Sequence, residues 1–538
     1  MHAPEALPTP ASTLVGGWLA AVARRQPDKI ALRCDGRAVS YAGLAAAGDA
    51  VAAALLRAGL REGGCVAWLG VNSIAMLSTL FGCARLGAIF MPLNWRLAPP
   101  EHAAMLRDCP PKLLVADAAW VEACRDGGVA PPGTRCLSHG AEAADWASFE
   151  SFVDAGAGVE LPAAALEPKT PLLLCFTSGS TGRPKGVLLS QDALAANADA
   201  SVDMHALTAD DRILTTLPLF HVGGLNILTT PALRAGCSVT LHAKFDPDAT
   251  FDAIERERIT LTVLVPAQLE MMLAHPRWAT ADLSSLRMIT TGSTIVPERL
   301  IRTVQERGIP LVSVWGATET SPIAACLHAD EAVRKVGSTG RAALGCELRL
   351  INAFGEDVPP GTSGELLVRG RNVMLGYWRD DEANRKALAA GWFHSGDSAH
   401  ADDEGFITID GRLKDMIITG GENVSPAEVE AVLLDSPDVA QASVVGRADP
   451  RWGEKVVAVV VPQPGASLTQ DSVLALFEGR LARFKHPKEV LIVEALPSTA
   501  LGKVRKDDVR KLVANHFAHM DAGPSGAARA NPSQERTA

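Results

Sequence analysis

Short apolar runs alternate with longer Ala-rich stretches through residues 30–320. The runs read CVAWLGV, KLLVADA, RILTTLPLF, SVTLHA, LTVLVPA, LRMITTG and PLVSVWG. Unbroken apolar strands are typical of parallel sheets, and the stretches between them suit the helices that cover such sheets. The pattern therefore predicts parallel sheets covered by helices.

Residues 66–84 carry no charge over a length that could cross a membrane. Asn72 and Ser73 interrupt this run at a position where a helix cap is expected. Buried parallel strands also read as continuous apolar runs, so strand, helix and strand in a water-soluble domain is the better interpretation. No transmembrane segment is predicted here.

The pattern changes twice in the second half of the chain. From about 337 to 411 it consists of short strands and turns, as in PPGTSGELLVRG and DEGFITIDGR, which predicts a small, more antiparallel, β-rich subdomain. A new α+β pattern begins at Lys414. The predicted fold class is α/β, with a large N-terminal domain of helix-covered parallel sheets and a small mobile α+β C-terminal domain. The predicted domains are 1–413 and 414–515, followed by a disordered tail, 516–538.

The C-terminal domain carries a clear helix start. Ser425 to Glu428 read SPAE, which is a capping box with Pro at the first helical position. The tail contains too little apolar material to fold. The predicted elements are helices at 426–434 and 471–483 and strands near 440–446, 455–462 and 489–494.

Composition narrows the possible partners and location. The chain has 51 Lys and Arg against 61 Asp and Glu, and this net charge of −10 disfavours a nucleic-acid partner. Ten cysteines form no C-x-x-C pair and no zinc-site spacing, which is typical of reduced thiols. The N-terminus lacks the pattern of a secretion signal, so a cytoplasmic location is expected. Weak peripheral membrane contact stays open, as does the choice between monomer and homodimer.

Residues 172–190, LLLCFTSGSTGRPKGVLLS, place a Gly-, Ser- and Thr-rich loop between two aliphatic runs. Backbone N–H groups, hydroxyls and the Lys185 ammonium are suited to a polyphosphate. The nucleotide-binding P-loop is disfavoured because Pro184 precedes Lys185 and Gly186 follows it, where that motif needs Gly and a hydroxyl residue. Taken alone, the loop would be read as a flexible surface hairpin.

The string T-S-G-S-T-G-R-P-K-G, Thr177 to Gly186, resembles the phosphate loop of the adenylate-forming superfamily of acyl- and aryl-CoA ligases, luciferases and peptide-synthetase adenylation domains. VWGATET is similar to a second segment of that family, where Trp315 would stack on adenine, Thr318 would touch phosphate and Glu319 would hold Mg²⁺. The family usually has Tyr at the Trp315 position. The further contacts that the resemblance implies are Ser178, Gly179, Ser180, Thr181 (also a metal ligand), Gly182, Gly292, Ser293, Thr294, Gly316 and Ala317.

Later segments extend the resemblance towards the C-terminus. In WFHSGDSAHADDEGFITIDGRLKDMI, Asp397 and Arg412 would contact the nucleotide sugar, and Lys414 matches the family hinge. Without that resemblance, Asp397 would be read as an Asx turn after Gly396.

The C-terminal domain supplies the remaining matches. PSTALGKVRKDDV, residues 497–509, contains the family's catalytic lysine position, Lys503. Without the resemblance, Lys503 would be interpreted as a solvent-exposed lysine. Several relatives carry Arg at the position of His486, so a contact between residue 486 and the CoA nucleotide is in doubt. The residues that the resemblance assigns to CoA are Gly420, Gly421, Glu422, Trp452 and Lys488.

The resemblance implies an ATP-dependent acyl-CoA ligase that needs Mg²⁺, makes an acyl-adenylate with Lys185, Thr177 and Lys503, and then forms the CoA thioester. The segments expected to line the acyl pocket, 220–228, 291–296 and 315–324, contain no Lys or Arg, which favours an apolar acid such as a medium- or long-chain fatty acid. His221 is either a gate to this pocket or a core histidine. Aryl-CoA ligase, acyl transfer to a carrier protein and a nucleotide sensor without turnover stay open as alternatives.

Overall fold

The structure is a computed structural model that describes residues 14–141, 143, 145–162, 166–177, 184–293, 296–419, 422–449, 452–478, 480–499 and 503–521. Residues 422, 423 and 518–521 are described by their backbone alone. The chain divides into two compact units, the first ending at Ile409 and the second starting at Asp410. The boundary that the sequence suggests, Lys414, follows this division by a few residues.

The strands of the described residues were numbered in chain order. They are β1 (Ile30–Cys34), β2 (Arg37–Ser40), β3 (Cys65–Leu69), β4 (Ile89–Leu93), β5 (Leu113–Asp117), β6 (Arg135–His139), β7 (Ala147–Ser148), β8 (Pro171–Thr177), β9 (Lys185–Ser190), β10 (Arg212–Thr215), β11 (Ser238–Leu241), β12 (Leu261–Val263), β13 (Met288–Gly292), β14 (Leu311–Trp315), β15 (Ala325–Cys326), β16 (Arg341–Ala342), β17 (Cys346–Ile351), β18 (Gly364–Gly370), β19 (Gly376–Tyr377), β20 (Phe393–Ala401), β21 (Ile407–Arg412), β22 (Ile417–Thr419), β23 (Glu422–Val424), β24 (Val439–Asp449), β25 (Gly453–Pro462) and β26 (Glu489–Ile492).

The α-helices were numbered in the same way. They are α1 (Trp18–Ala23), α2 (Tyr41–Arg57), α3 (Ile74–Leu86), α4 (Pro99–Asp108), α5 (Ala118–Asp126), α6 (Phe149–Asp154), α7 (Gln191–His205), α8 (Val222–Gly224), α9 (Thr230–Ala235), α10 (Pro247–Glu257), α11 (Pro266–Ala274), α12 (Arg277–Thr280), α13 (Glu298–Gln305), α14 (Asp381–Ala387), α15 (Pro426–Leu434), α16 (Gln470–Ala475) and α17 (Lys506–Asp521).

Two large sheets dominate the first unit. Their strand orders are β16–β15–β14–β13–β12–β10–β11–β1–β2 and β19–β9–β8–β4–β3–β5–β6–β7. The strands from β14 to β1 in the first sheet, and from β8 to β7 in the second, pair in parallel. All positions of β3 are buried, as a parallel strand covered on both faces requires. The prediction of helix-covered parallel sheets is confirmed.

The uncharged run at 66–84 forms strand, helix and strand, as predicted. It begins within β3, continues through α3 and leads into β4. Ser73 caps α3 because its hydroxyl accepts a hydrogen bond from the backbone N–H of Met76 at 3.1 Å. Across the described residues, no helix combines the length and the apolar character that a membrane crossing demands.

The β-rich segment forms a four-stranded sheet in the order β17–β18–β20–β21. The pairs β17–β18 and β18–β20 are antiparallel, in agreement with the predicted change of pattern. The division between the two units falls within β21.

The second unit corrects the prediction of a capping box. Helix α15 starts at Pro426 as predicted, but the Ser425 side chain does not cap it. The Ser425 hydroxyl donates to the backbone carbonyl of Asp410 instead, and the Glu428 carboxylate accepts from Lys485 Nζ at 2.6 Å. Tertiary partners thus take both side chains that the local motif would use.

Two further boundaries in the second unit differ from prediction. The helix expected over 471–483 ends at Ala475, where the backbone bonds tighten to a three-residue spacing and Phe477 turns into the core. Residues 516–521, which were expected to belong to a disordered tail, are helical because α17 continues to Asp521. Val509 and Val513 anchor this helix with exposures of 0% and 1%. The rest of the predicted tail, 522–538, lies outside the described residues.

Candidate active site

The Gly-rich loop is framed by two paired strands. Thr177 ends β8 and Lys185 begins β9, and the two residues are direct antiparallel partners. The Thr177 hydroxyl lies 3.5 Å from the backbone carbonyl oxygen of Lys185. The predicted phosphate contacts between them, Ser178, Gly179, Ser180, Thr181 and Gly182, lie outside the described residues.

Lys185 and Glu319 contact the same tyrosine, Tyr377, one at its ring face and the other at its hydroxyl. The Lys185 Nζ lies 4.9 Å from the centre of the Tyr377 ring, over its face. The Tyr377 hydroxyl donates to Glu319 Oε1 at 2.9 Å. All three side chains are half-buried. A cation and a carboxylate thus lie at the base of the Gly-rich loop, which is the charge pattern that a metal-bound polyphosphate requires.

The edge of β14 positions the second motif. Trp315 ends this strand, and its indole Nε1 donates to Asp397 Oδ2 at 3.0 Å. Both side chains are buried, with exposures of 8% and 6%. Asp397 lies within β20, where its backbone N–H donates to the Ser395 hydroxyl and its carboxylate accepts from the Trp315 indole.

Close backbone packing explains two glycines at this edge. A Cβ on Gly316 would lie 1.5 Å from the carbonyl oxygen of Pro322, and one on Gly292 would lie 2.6 Å from that of Val314. Because β13 and β14 are parallel neighbours, both glycines lie at the carboxyl edge where ligands of open α/β sheets bind. The predicted contacts that continue from these glycines are Ala317 and Thr318, both half-buried, Ser293, with a φ of +75°, and Thr294, which lies outside the described residues.

His221 precedes a short stretch of irregular helix. It is followed by α8 and a π-helical segment, Leu225–Thr229, and its ring centre lies 4.5 Å from that of Phe220. Burial, with a smaller effect of Arg96, lowers the pKa of His221 to about 4, so the imidazole is neutral at pH 7. Arg96 lies 5.6 Å from the Phe220 ring centre. The segments that were predicted to line the acyl pocket contain no Lys or Arg, but the fold places Arg96, which lies outside them, beside Phe220 of the segment 220–228.

A small cavity lies next to this irregular helix. Its lining includes Thr216, Gly223, Gly224 and Val263. Among the described residues, two buried polar atoms here have no hydrogen-bond partner: the hydroxyl of Thr216, which lines the cavity, and Nδ2 of Asn226, which belongs to the π-helical segment. Buried polar atoms without a partner are costly and often mark a ligand contact.

The predicted residues of the second unit lie on exposed turns or strand ends. Lys414 lies in the 3₁₀ turn Leu413–Asp415, with its Nζ 4.0 Å from Asp507 Oδ2, and Arg412 ends β21. Lys503 is exposed, and its backbone N–H donates to the Thr499 hydroxyl at 3.2 Å.

The predicted CoA contacts are divided between described and undescribed residues. Trp452 is 41% exposed, and its backbone N–H donates to Asp449 Oδ1 at 3.0 Å. The exposed Lys488 donates to the carbonyl of Arg483 at 3.4 Å. A ring nitrogen of His486 lies 2.9 Å from the Leu481 carbonyl oxygen. The backbone of Glu422 starts β23, whereas Gly420 and Gly421 lie outside the described residues.

The residues present fit Mg²⁺ that arrives with a nucleotide. Across the part of the chain that the structure describes, no group of three or more His, Cys, Asp or Glu side chains is placed to hold a metal by itself. Magnesium is commonly bound by one or two carboxylates together with substrate phosphates. Glu319 offers such a carboxylate. The other predicted ligand, Thr181, lies outside the described residues.

Sequence reasoning missed Tyr377, Arg96, Thr216 and Asn226. Tyr377 and Arg96 contact residues far along the chain, and Thr216 and Asn226 stand out only by buried polar atoms without a partner, none of which leaves a local pattern in the sequence. Asn226 lies in the segment 220–228 that was expected to line the acyl pocket but was not singled out, and no motif assigned a role to the other three.

Comparisons with known proteins agree along most of the chain. The AMP-binding enzyme family model matches residues 19–378, and the AMP-binding enzyme C-terminal domain matches 428–503. The indoleacetate–CoA ligase of Aromatoleum aromaticum is 58% identical over 500 residues, 92% of this chain and 98% of that protein. A feruloyl-CoA synthase of an Amycolatopsis species is 40% identical over 92% of this chain and 98% of its own length. The crystal structure of an anthranilate CoA ligase in complex with anthranoyl-AMP superimposes with a TM-score of 0.87 at 27% identity, covering 94% of this chain and 98% of that one.

Proposed function

The chain belongs to the AMP-binding enzyme family, and from that premise we propose that its substrate is an arylacetic acid of the indole-3-acetate type. The observation that carries the proposal is the 58% identity to the indoleacetate–CoA ligase over 92% of this chain. The sequence-based preference for a medium- or long-chain fatty acid gives way to the aryl-CoA alternative, which the comparisons support better.

The chain is an AMP-forming acid–thiol ligase that uses ATP, Mg²⁺ and coenzyme A. In the first half-reaction a carboxylate oxygen bonds to the α-phosphorus of ATP, and the bond to the pyrophosphate oxygen breaks. In the second, the CoA sulfur bonds to the acyl carbon, AMP leaves, and the thiol proton passes to solvent. Both steps place negative charge on a leaving phosphate, so fixed cations and N–H donors lower the barrier.

The residues of the first unit take the following roles in this proposal. Lys185 and the backbone of the Gly-rich loop neutralise the leaving pyrophosphate. Trp315 offers a ring face to adenine, and Asp397 accepts hydrogen bonds from the ribose hydroxyls. Glu319 would hold Mg²⁺, which supplies positive charge to the phosphate oxygens. Three contacts support these roles. They are the cation–ring contact of Lys185 with Tyr377, the Tyr377–Glu319 hydrogen bond and the Trp315–Asp397 hydrogen bond.

In the second unit, Lys503 acts in the first half-reaction, the formation of the acyl-adenylate. Lys414 is the hinge residue, and Trp452 and Lys488 bind CoA. Each role follows from the position of the residue in a family motif. The exposure of these residues is compatible with a transient contact to substrate.

The cavity beside Thr216 has a volume of about 10 Å³, which is room for one water molecule, so a substrate ring reaches this hydroxyl only if the neighbouring side chains move. An alkyl chain that reached it would leave the Thr216 hydroxyl buried without a partner, which is costly. An indole N–H donates one hydrogen bond and would find an acceptor in that hydroxyl. His221 at the edge of the same segment is neutral at pH 7, so among the described residues the charge nearest to Phe220 and His221 is that of Arg96.

A panel of acids tests the proposal directly. Purified protein with MgATP and CoA is supplied with indole-3-acetate, phenylacetate, ferulate, octanoate or palmitate, and AMP and pyrophosphate are measured. We expect the highest kcat/KM with indole-3-acetate. A higher value with octanoate or palmitate would contradict the proposal, as would release of ADP. A free carrier protein in place of CoA tests the carrier-loading alternative.

A matched pair of substrates tests the contact with Thr216. Benzothiophene-3-acetate has the shape of indole-3-acetate but carries sulfur in place of the N–H. We expect the parent to favour the indole acid about tenfold, and Thr216→Val to reduce that preference towards unity. An unchanged preference in the variant would place the ring nitrogen elsewhere.

A further inference from the structure

Tyr377 is fixed in place by its backbone. Its strand, β19, pairs with β9, and Tyr377 is the direct partner of Val187, two residues after Lys185. The Asn384 side chain accepts from the Tyr377 N–H at 2.6 Å and donates to the Tyr377 carbonyl at 3.1 Å. The next residue, Trp378, donates its indole N–H to the carbonyl of Asp108 at 3.1 Å. These bonds hold the Tyr377 backbone on both sides.

The side chain of Tyr377 connects two groups that come from different parts of the chain. Its hydroxyl donates to Glu319 Oε1 at 2.9 Å, and its ring face lies 4.9 Å below Lys185 Nζ. Lys185 belongs to the Gly-rich loop hairpin, and Glu319 to the 3₁₀ turn after β14. The strands that lead to these residues, β9 and β14, belong to different sheets, and Tyr377 contacts both residues.

We propose that Tyr377 is a positioning residue for the MgATP site: its hydroxyl orients the Glu319 carboxylate for Mg²⁺, and its ring orients the Lys185 ammonium towards the phosphates. The proposal rests on the metal role assigned to Glu319 under the proposed function.

The chemistry of the two contacts supports separate effects. A carboxylate has about four lone-pair positions, so a hydroxyl bound at Oε1 leaves Oε2 available to a metal. A hydrogen-bonded partner behind a metal-binding carboxylate fixes its orientation, and its loss typically weakens metal binding about 10- to 100-fold. The ring acts on Lys185 through the attraction between a cation and an aromatic face, which is independent of the hydroxyl.

Two substitutions separate these contacts. Tyr377→Phe removes the hydroxyl and keeps the ring face, whereas Tyr377→Leu removes both. The other tyrosine, Tyr41, provides a matched control. It is buried at the start of α2, outside the site, and its hydroxyl donates to the carbonyl of Cys237 at 2.6 Å. Tyr41→Phe therefore deletes a tyrosine hydroxyl bond of similar length without touching Glu319 or Lys185.

The readout is ATP binding, measured by titration calorimetry without any carboxylic acid so that no turnover occurs. ATP is titrated in EDTA and at increasing Mg²⁺. We expect Tyr377→Phe to bind ATP in EDTA like the parent, but to need about tenfold more Mg²⁺ for half of the metal-dependent gain in affinity. Tyr377→Leu should in addition weaken ATP binding in EDTA about threefold. Tyr41→Phe should change neither value, even if its thermal stability falls.

Two results would overturn the proposal. One is an unchanged Mg²⁺ requirement in Tyr377→Phe, and the other is the same tenfold shift when Tyr377→Phe is added to Glu319→Gln. If the protein rejects indole-3-acetate but Tyr377→Phe shifts the Mg²⁺ requirement, the proposed substrate fails and the role of Tyr377 stands. If Tyr377→Leu does not fold, Tyr377→Phe and its control still decide the question.

Discussion

Two candidate pairs of the first unit are joined by hydrogen bonds between residues far apart along the chain, whereas the backbone N–H groups of Lys503 and Trp452 in the second unit bond to side chains three or four positions away. Trp315 bonds to Asp397 across 82 positions, and Tyr377 bonds to Glu319 across 58. In the second unit, the backbone N–H of Lys503 bonds to a side chain four positions away. Residues of the first kind serve folding and binding together, whereas an exposed residue on a local turn can be replaced with little effect on folding.

The sharpest test of this difference is Lys503→Ala, from which we expect the largest effect on rate. Loss of one charge contact made in the transition state costs about 3–4 kcal/mol, or roughly a factor of 10² to 10³ in adenylate formation. Thioester formation from supplied acyl-adenylate and CoA should be nearly unchanged, and so should the midpoint of thermal unfolding. Rapid-quench assays of each half-reaction measure this. Adenylate formation at the parental rate would make Lys503 an ordinary surface lysine.

Acid should act with opposite sign on the buried histidines of the first unit and on a buried glutamate of the second. Burial lowers the pKa of His205 and of His221 to about 4, so between pH 6.5 and 4 the unfolded state binds protons that the folded state does not. Stability from these histidines is therefore present above pH 6.5 and lost as pH falls through 4. For the fully buried His205 the loss is up to about 3 kcal/mol.

In the second unit, burial raises the pKa of Glu430, although Lys506 opposes this shift. The folded state then takes up the proton before the unfolded state does, so acidification adds stability through this group. Hydrogen exchange, corrected for intrinsic rates, should show lost protection around His205 at pH 5 relative to pH 7, but not around Glu430. Equal loss in both regions would contradict the comparison.

Sequence reasoning succeeded where burial is a local property. The run CVAWLGV predicts a covered strand because each of its residues is apolar, and the structure buries all positions of β3. It failed where a group distant in the sequence bonds to a side chain that a local motif was expected to use. The Ser425 hydroxyl, predicted to cap α15, donates to the Asp410 carbonyl, and the Glu428 carboxylate of the same motif accepts from Lys485.

The candidate site shows the same limit. The family motifs named Lys185, Glu319, Trp315 and Asp397 as candidates, but the Trp315–Asp397 hydrogen bond and the contact of both Lys185 and Glu319 with Tyr377 depend on the fold. Tyr377 lies in no segment that the resemblance named, and it is placed by the pairing of β19 with β9. That pairing joins positions that are far apart in the sequence, so no local pattern could predict it.

A smaller effect is expected from Trp315→Phe, which keeps an aromatic face for adenine but deletes the hydrogen bond to Asp397. A bond to a charged, 6% exposed carboxylate contributes about 1.5–3 kcal/mol to the free energy of unfolding. We therefore expect lower stability by that amount and a modest rise in KM for ATP, measured by urea unfolding and initial rates. In the double variant with Asp397→Asn the two stability losses should not add. Full additivity would show that the indole and the carboxylate act independently.

The smallest effect on stability is expected from Trp452→Ala, the counterpart of Trp315 in the second unit. Trp452 is 41% exposed, whereas Trp315 is 8% exposed, and the contact of Trp452 with Asp449 uses its backbone N–H, which alanine retains. Its removal should change the free energy of unfolding by about 0.5 kcal/mol or less. If the aromatic ring meets the nucleotide of CoA, its loss should raise KM for CoA about tenfold, since aromatic stacking on a base contributes about 1–3 kcal/mol. Adenylate formation, which precedes CoA, should keep its rate. A loss of stability as large as that of Trp315→Phe would show that Trp452 is part of the packing of its unit, and the contrast between the two regions would then fail at this pair of tryptophans.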